Sequence, residues 1–159
     1  MYYIKVCLTV ILLVTMTACS NQAVKPKTAS TKHTSDSTVE ELTIYKAAII
    51  ALNNDELDKA QSLFLQMSER QPDIAGTWAN LALISVKKGE LEQATAFVET
   101  ALEKNPNMPQ ALNLSGYLAQ NRGEINQAKS YYLQALTHKD DYALAHYNLA
   151  LLYDVYFQD

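Results

Sequence analysis

The feature that most constrains this chain is an interval: the same residue classes return every 34 positions from residue 48 to residue 150. Ala48, Ala82, Gly116 and Ala150 keep that interval through the whole array, as do Ala60, Ala94 and Ala128, and Phe64, Val98 and Tyr132. A fixed period without insertions means one supersecondary unit used repeatedly. Inside the unit the apolar spacing is helical. Trp78, Leu81, Ala82 and Ser85 share one face, Gly89 follows, and Leu91, Ala94, Val98 and Ala101 share another. The unit therefore reads as two helices joined by a short turn.

The punctuation agrees. Gly89 and Gly123 fall where a chain leaving a helix takes positive φ, and Asn54-Asp55 fills that slot in the first unit. Pro72 and Pro106 close their units, because a residue without an amide proton cannot continue a helix. Ala60, Ala82, Ala94, Gly116 and Ala128 mark the places where helices cross closely and a longer side chain would push the backbones apart. Helices are expected over residues 37–53, 56–69, 75–88, 91–105, 109–121, 125–137 and 142–157. Ser37-Thr38-Val39-Glu40 has the form of a capping box at the first start, and Pro109 suits the first turn of the fifth helix. One hairpin cannot hide its own apolar face, so neighbours must stack into a solenoid.

These residues resemble the tetratricopeptide repeat: Trp78, Leu81, Ala94, Ala101 and Pro106 match its W, L, A, A and P at the family's spacing. The resemblance covers residues 41–159 and implies an all-α solenoid, a domain over 38–159 with repeats at 41–74, 75–108 and 109–142 and a partial repeat at 143–159. Met67, Asp140 and His146 depart from the pattern, standing where the other units have a small residue, the closing Pro and Trp78.

Residues 1–18 are of another kind. Lys5 is the only charge, residues 6–16 are nearly all apolar, and Thr17-Ala18-Cys19 follows. That is the pattern of an export signal, too short for a permanent membrane span. Met16-Thr17-Ala18-Cys19 resembles the lipobox of bacterial lipoproteins, which implies acylation of Cys19; an ordinary secretory signal beside a Cys is the alternative. Cleavage there also removes Cys7 and leaves a single thiol, for which acylation supplies a use. Ser20 after the lipidated Cys implies, by the same resemblance, a lipid-anchored protein at the outer membrane facing the periplasm. Residues 19–37, rich in Ser, Thr and Lys, read as a tether.

A net charge of −4, with 13 Lys and Arg among 17 Asp and Glu, leaves no basic stripe for a nucleic-acid backbone. Catalytic and metal sites are not expected, and no cofactor is implied. His138, Asp140 and Asp141 sit in a turn without a nucleophile, and His146 is read as a satisfied core histidine. What remains is a surface for protein partners. By resemblance the first helix of each hairpin lines a concave groove, which places Tyr45, Ile49, Ala79, Asn80, Leu83, Asn113, Tyr117, Gln120, Asn121, Tyr147, Asn148 and Leu151 on or near it. Tyrosines and amides suit an extended peptide. The family's clamp for acidic C-terminal tails needs Lys or Arg at the places of Tyr45 and Ile49, so that partner type is disfavoured.

The expected function is an adaptor in assembly of an envelope machine such as a pilus or secretion system; the alternative is an adaptor for cell-wall enzymes acting on peptidoglycan or polysaccharide. Finally, residues 143–159 reproduce a first helix and stop before a second, which leaves an apolar strip around Leu151 to Phe157 exposed. A second helix beyond Asp159, self-association and partner docking each account for that strip.

Overall fold

The computed structural model describes residues 31–157, with side chains described from residue 38. The signal over residues 1–18, Cys19 and the tether up to residue 30 lie outside the described residues. Seven helices follow one another: α1 Thr31–Asn53, α2 Leu57–Arg70, α3 Ala75–Lys88, α4 Leu91–Lys104, α5 Pro109–Asn121, α6 Ile125–His138 and α7 Ala143–Tyr156. Helices α1–α2, α3–α4 and α5–α6 pair as hairpins that stack in order, and α7 packs alone on the third.

The expected bounds hold within a residue or two except at the start. α1 begins at Thr31, so the Ser37 capping box lies inside the helix and residues 31–37 of the expected tether are helical. No Gly or Pro interrupts that stretch, and a capping box ends a helix only where the preceding residues leave it. Glu40 instead pairs with Arg70 at 2.9 Å, tying α1 to α2.

Each hairpin turn is the same object. Asp55 at φ 59° and Gly89 and Gly123 at φ 78° take the left-handed conformation. The amides of Glu56, Glu90 and Glu124 then donate back to the carbonyls of Ala51, Ser85 and Ala119 at 2.9, 2.8 and 2.9 Å. The glutamates precede the second helices, where a negative charge meets the positive end of the helix dipole. A donor two residues earlier clasps each one: Asn54 to Glu56 at 3.2 Å, Lys88 to Glu90 at 3.3 Å and Arg122 to Glu124 at 2.8 Å.

The core lies between the helices of each hairpin and between neighbouring hairpins. Phe64 and Ala48, Val98 and Ala82, and Tyr132 and Gly116 pair large with small at equivalent places. The third pair is the tightest, since a Cβ on Gly116 would stand 2.5 Å from the Tyr132 ring. Met67 is accepted where the other units have Ala, and is 2% exposed. The expectation of a core His146 is corrected: the residue is exposed, because among the described residues no further helix covers that side of α7. Its ring nevertheless repeats what the tryptophan does. Trp78 Nε1 donates to the Pro72 carbonyl at 2.8 Å, and His146 Nε2 meets the equivalent Asp140 carbonyl at 2.7 Å.

Burial pushes the Tyr132 phenol up to about 12, with Tyr117 adding to it. The unfolded tyrosine releases its proton near pH 10 and the folded one only near 12, so the unfolded state binds fewer protons between these values. Stability should be unaffected by this group below pH 10 and fall by roughly 2–3 kcal/mol as pH rises through that window. Alkaline titration followed by phenolate absorbance and circular dichroism checks it: one phenol should titrate only as helicity is lost.

Candidate functional site

The first helices carry equivalent residues to one concave face. Leu42, Gly76, Gln110 and Leu144 form one row, Tyr45, Ala79, Asn113 and Tyr147 a second, and Ile49, Leu83, Tyr117 and Leu151 a third. Between them lies a groove of about 250 Å³ lined by Tyr45, Ile49, Gly76, Ala79, Asn80, Leu83, Met108, Gln110, Asn113, Leu114, Tyr142 and Leu144.

Its depth comes from α3. Gly76 and Ala79 leave the floor low, and the Tyr45 hydroxyl lies 4.0 Å from where a Gly76 Cβ would be. The Tyr45 ring is held edge-on against Phe64 with centroids 5.8 Å apart, so the wall it forms is rigid. The polar groups are amides. Asn80 and Gln110 line opposite helices, and Asn113, 2% exposed, accepts from Asn148 Nδ2 at 3.0 Å. Tyr142 closes one end, with burial raising its phenol above the ordinary value.

No lining residue is charged. Charges lie elsewhere, several as links between successive units: Lys87 to Asp55 at 2.7 Å, Lys88 to Asp58 at 3.0 Å and Lys104 to Asp73 at 2.7 Å. Exposed pairs of this kind contribute little individually. Among the described residues no group of three or more His, Cys, Asp or Glu is placed to hold a metal ion, and no helix is long and apolar enough to cross a membrane.

Of the residues expected at the groove, Tyr45, Ile49, Ala79, Asn80, Leu83 and Asn113 line it. Tyr117, Tyr147 and Leu151 stand outside the lining, 36%, 64% and 41% exposed, where the third and second rows run on past it. Gln120 stands outside the lining, its Oε1 accepting from the Tyr132 hydroxyl at 3.0 Å. Asn121 caps its own helix by donating to the Tyr117 carbonyl at 2.8 Å, and Asn148 serves the groove only through Asn113. Gly76, Met108, Gln110, Leu114, Tyr142 and Leu144 were not anticipated. The interval contained the signal: Gln110 and Leu144 follow Gly76 by one and two periods, Leu114 follows Asn80, and Tyr142 follows Met108.

A stacked series of helical hairpins with a groove along the first helices is the architecture of a repeat solenoid. The model of the tetratricopeptide repeat matches residues 75–108 and 109–141, the second and third hairpins, and the fold is a helical solenoid of that type. Solved structures agree on the fold. The TPR domain of Arabidopsis OM64 superposes with TM-score 0.66 at 14% identity over 72% of this chain and 94% of that one. The first TPR domain of Spaghetti (RPAP3), bound to the HSP90 peptide SRMEEVD, gives 0.67 at 14% over 74% and 94%. The Sgt2 TPR domain from Aspergillus fumigatus gives 0.66 at 19% over 72% and 78%. No curated protein sequence matches the chain.

Proposed function

We propose that this chain is a non-enzymatic adaptor that holds an extended, uncharged segment of a partner protein in its concave groove. The observation that carries the reading is the lining itself: apolar walls from Tyr45, Ile49, Leu83 and Leu144, amides from Asn80, Gln110 and Asn113, and no charge. Amides can pair with an extended backbone while the walls take side chains. Spaghetti holds an HSP90 peptide ending in acidic residues. The peptide-in-groove mode suits this chain, but an acidic tail does not, because nothing cationic lines the groove.

Placement of a crosslinkable side chain at Leu83, with the same group at Glu99 on α4 as control, tests this directly. Partner capture is expected only from Leu83, and Leu83→Glu should weaken it about tenfold or more with helicity retained. Affinity should change little between low and high salt, unlike capture of an acidic tail. Tyr117→Ala, outside the lining, should have the smaller effect. Undiminished capture by Leu83→Glu would show that the groove is not the binding surface.

The N-terminal reading supports a location. A lipobox-like Met16-Thr17-Ala18-Cys19 fits a lipid anchor in a bacterial envelope, facing the periplasm, with the groove recruiting components of an envelope machine such as a pilus or secretion system. Cys19→Ser is expected to leave the precursor uncleaved or release the protein from the outer-membrane fraction. Unchanged fractionation with an unmodified mature mass would remove the anchor from the reading.

A further inference from the structure

Asn113 is the most enclosed polar side chain of the groove, 2% exposed in a lining whose walls are apolar. An amide brings two donor hydrogens and a carbonyl oxygen, and each costs free energy where it is buried without a partner. Only the oxygen is matched from within the chain: Asn148 Nδ2, reaching across from α7, donates to Asn113 Oδ1 at 3.0 Å. Among the described residues nothing accepts from Asn113 Nδ2. The side-chain atoms there that are both sealed off and unpartnered are Thr77 Oγ1 and Glu90 Oε2, so Asn113 Nδ2 opens to the groove that its residue lines.

The other two amides of the lining differ. Asn80 is half-buried and Gln110 exposed, so both reach water and can turn to suit whatever lies beside them. Asn113 cannot turn while its oxygen is pinned from the next unit. The repeat does not require this pair. One period apart, Asn113 is replaced by Tyr45, Ala79 and Tyr147, and Asn148 by Lys46, Asn80 and Leu114. Two apolar residues would fill the contact without leaving a donor unmatched.

We propose that Asn113 sets the polarity of the groove, its Nδ2 donating to a main-chain carbonyl of the bound segment, with Asn148 as the positioning residue that turns it that way. An apolar side chain laid at this point would bury the donor unmatched, so the segment that binds brings an acceptor to it. A main-chain carbonyl is the acceptor that every segment carries, and Gly76 and Ala79 on the neighbouring α3 leave the floor low enough for a backbone to lie close. The inference rests on the groove reading and narrows it to one fixed hydrogen bond.

The test uses the full chain and short uncharged peptides selected against it from a displayed library, keeping those whose binding Leu83→Glu weakens about tenfold. Asn113→Leu should weaken such a peptide at least about tenfold, and Asn148→Leu should do nearly as much although Asn148 is outside the lining. In the Asn113→Leu background, Asn148→Leu should cost nothing further. Replacing the peptide's amide bonds singly by esters, whose carbonyls are weaker acceptors, should reveal one position that matters to the parent and not to Asn113→Leu. Helical circular dichroism should be retained in the double leucine variant, which removes both partners together. Equal or tighter binding by Asn113→Leu, an Asn148→Leu loss that persists without Asn113, or one ester profile for both chains would overturn the inference while the groove reading stands. Failure to select any peptide sensitive to Leu83→Glu would remove the groove reading and the inference with it.

Discussion

Gly116→Val is expected to remove a large share of the domain's stability, and Gly116→Ala to lose stability although alanine is the better helix former. A Cβ at this position would come within 2.5 and 2.6 Å of two Tyr132 ring atoms. That ring cannot swing away: it is 0% exposed and its hydroxyl donates to Gln120 at 3.0 Å. Alanine gains about 1 kcal/mol of helix propensity, against an overpacking cost of about 1–3 kcal/mol or more in a well-filled core. The net for alanine should be a loss of roughly 1–2 kcal/mol, and valine, adding two more carbons, should lose several, a large share of a small domain's roughly 5–15 kcal/mol. The repeat supplies its own rescue. The second unit pairs Ala82 with Val98, so Gly116→Ala with Tyr132→Val rebuilds that pair in the third unit. Tyr132→Val alone opens a cavity, and the double variant should be more stable than the sum of the single losses predicts. Additive losses in a urea double-mutant cycle would show that Gly116 is not held small by Tyr132.

How much of this was legible in the sequence depended on how local the cause was. The hairpin turns were legible because Gly89, Gly123 and Asp55 respond to a backbone demand made within the turn itself. The small crossing residues were legible because the interval repeats them. The start of α1 was not, since the Ser37 box is a sufficient start signal but carries no information on whether the residues before it are free to continue the helix. Gln120 looked like a groove amide until Tyr132, twelve residues on in another helix, claimed its oxygen. His146 was misplaced for a related reason: burial at its position depends on a second helix, which α7 lacks among the described residues. Half of the groove was not legible because the resemblance places only part of each first helix on the concave face, whereas the lining also takes Gly76, Gln110 and Leu144 from one further row and Met108 and Tyr142 from the residues just before α5 and α7.

Two glutamate substitutions at one repeat position should give opposite results, and the contrast tests the whole arrangement. Ala82 is 0% exposed and packs among Ala94, Val98 and Ala101, so Ala82→Glu drives a carboxylate and one further carbon into a space already filled. Either the carboxylate stays charged without solvent, or it protonates at a cost that grows with pH, and the added volume separates α3 from α4 in both cases. A loss of roughly 4 kcal/mol or more is expected, comparable with the stability of the domain, and because stacked units share their interfaces the damage should spread to both neighbouring hairpins. Ala94→Glu and Ala128→Glu should behave alike, for both residues are also 0% exposed. Ala150 keeps the same interval as Ala82, yet it faces solvent in the isolated chain, so Ala150→Glu should leave the melting temperature of the monomer within a few degrees of the parent. Thermal melts at neutral pH check both at once. Equal tolerance at Ala82 and Ala150 would overturn the assigned register of the helices, and equal damage would mean that the face of α7 around Ala150 is already buried within a single chain.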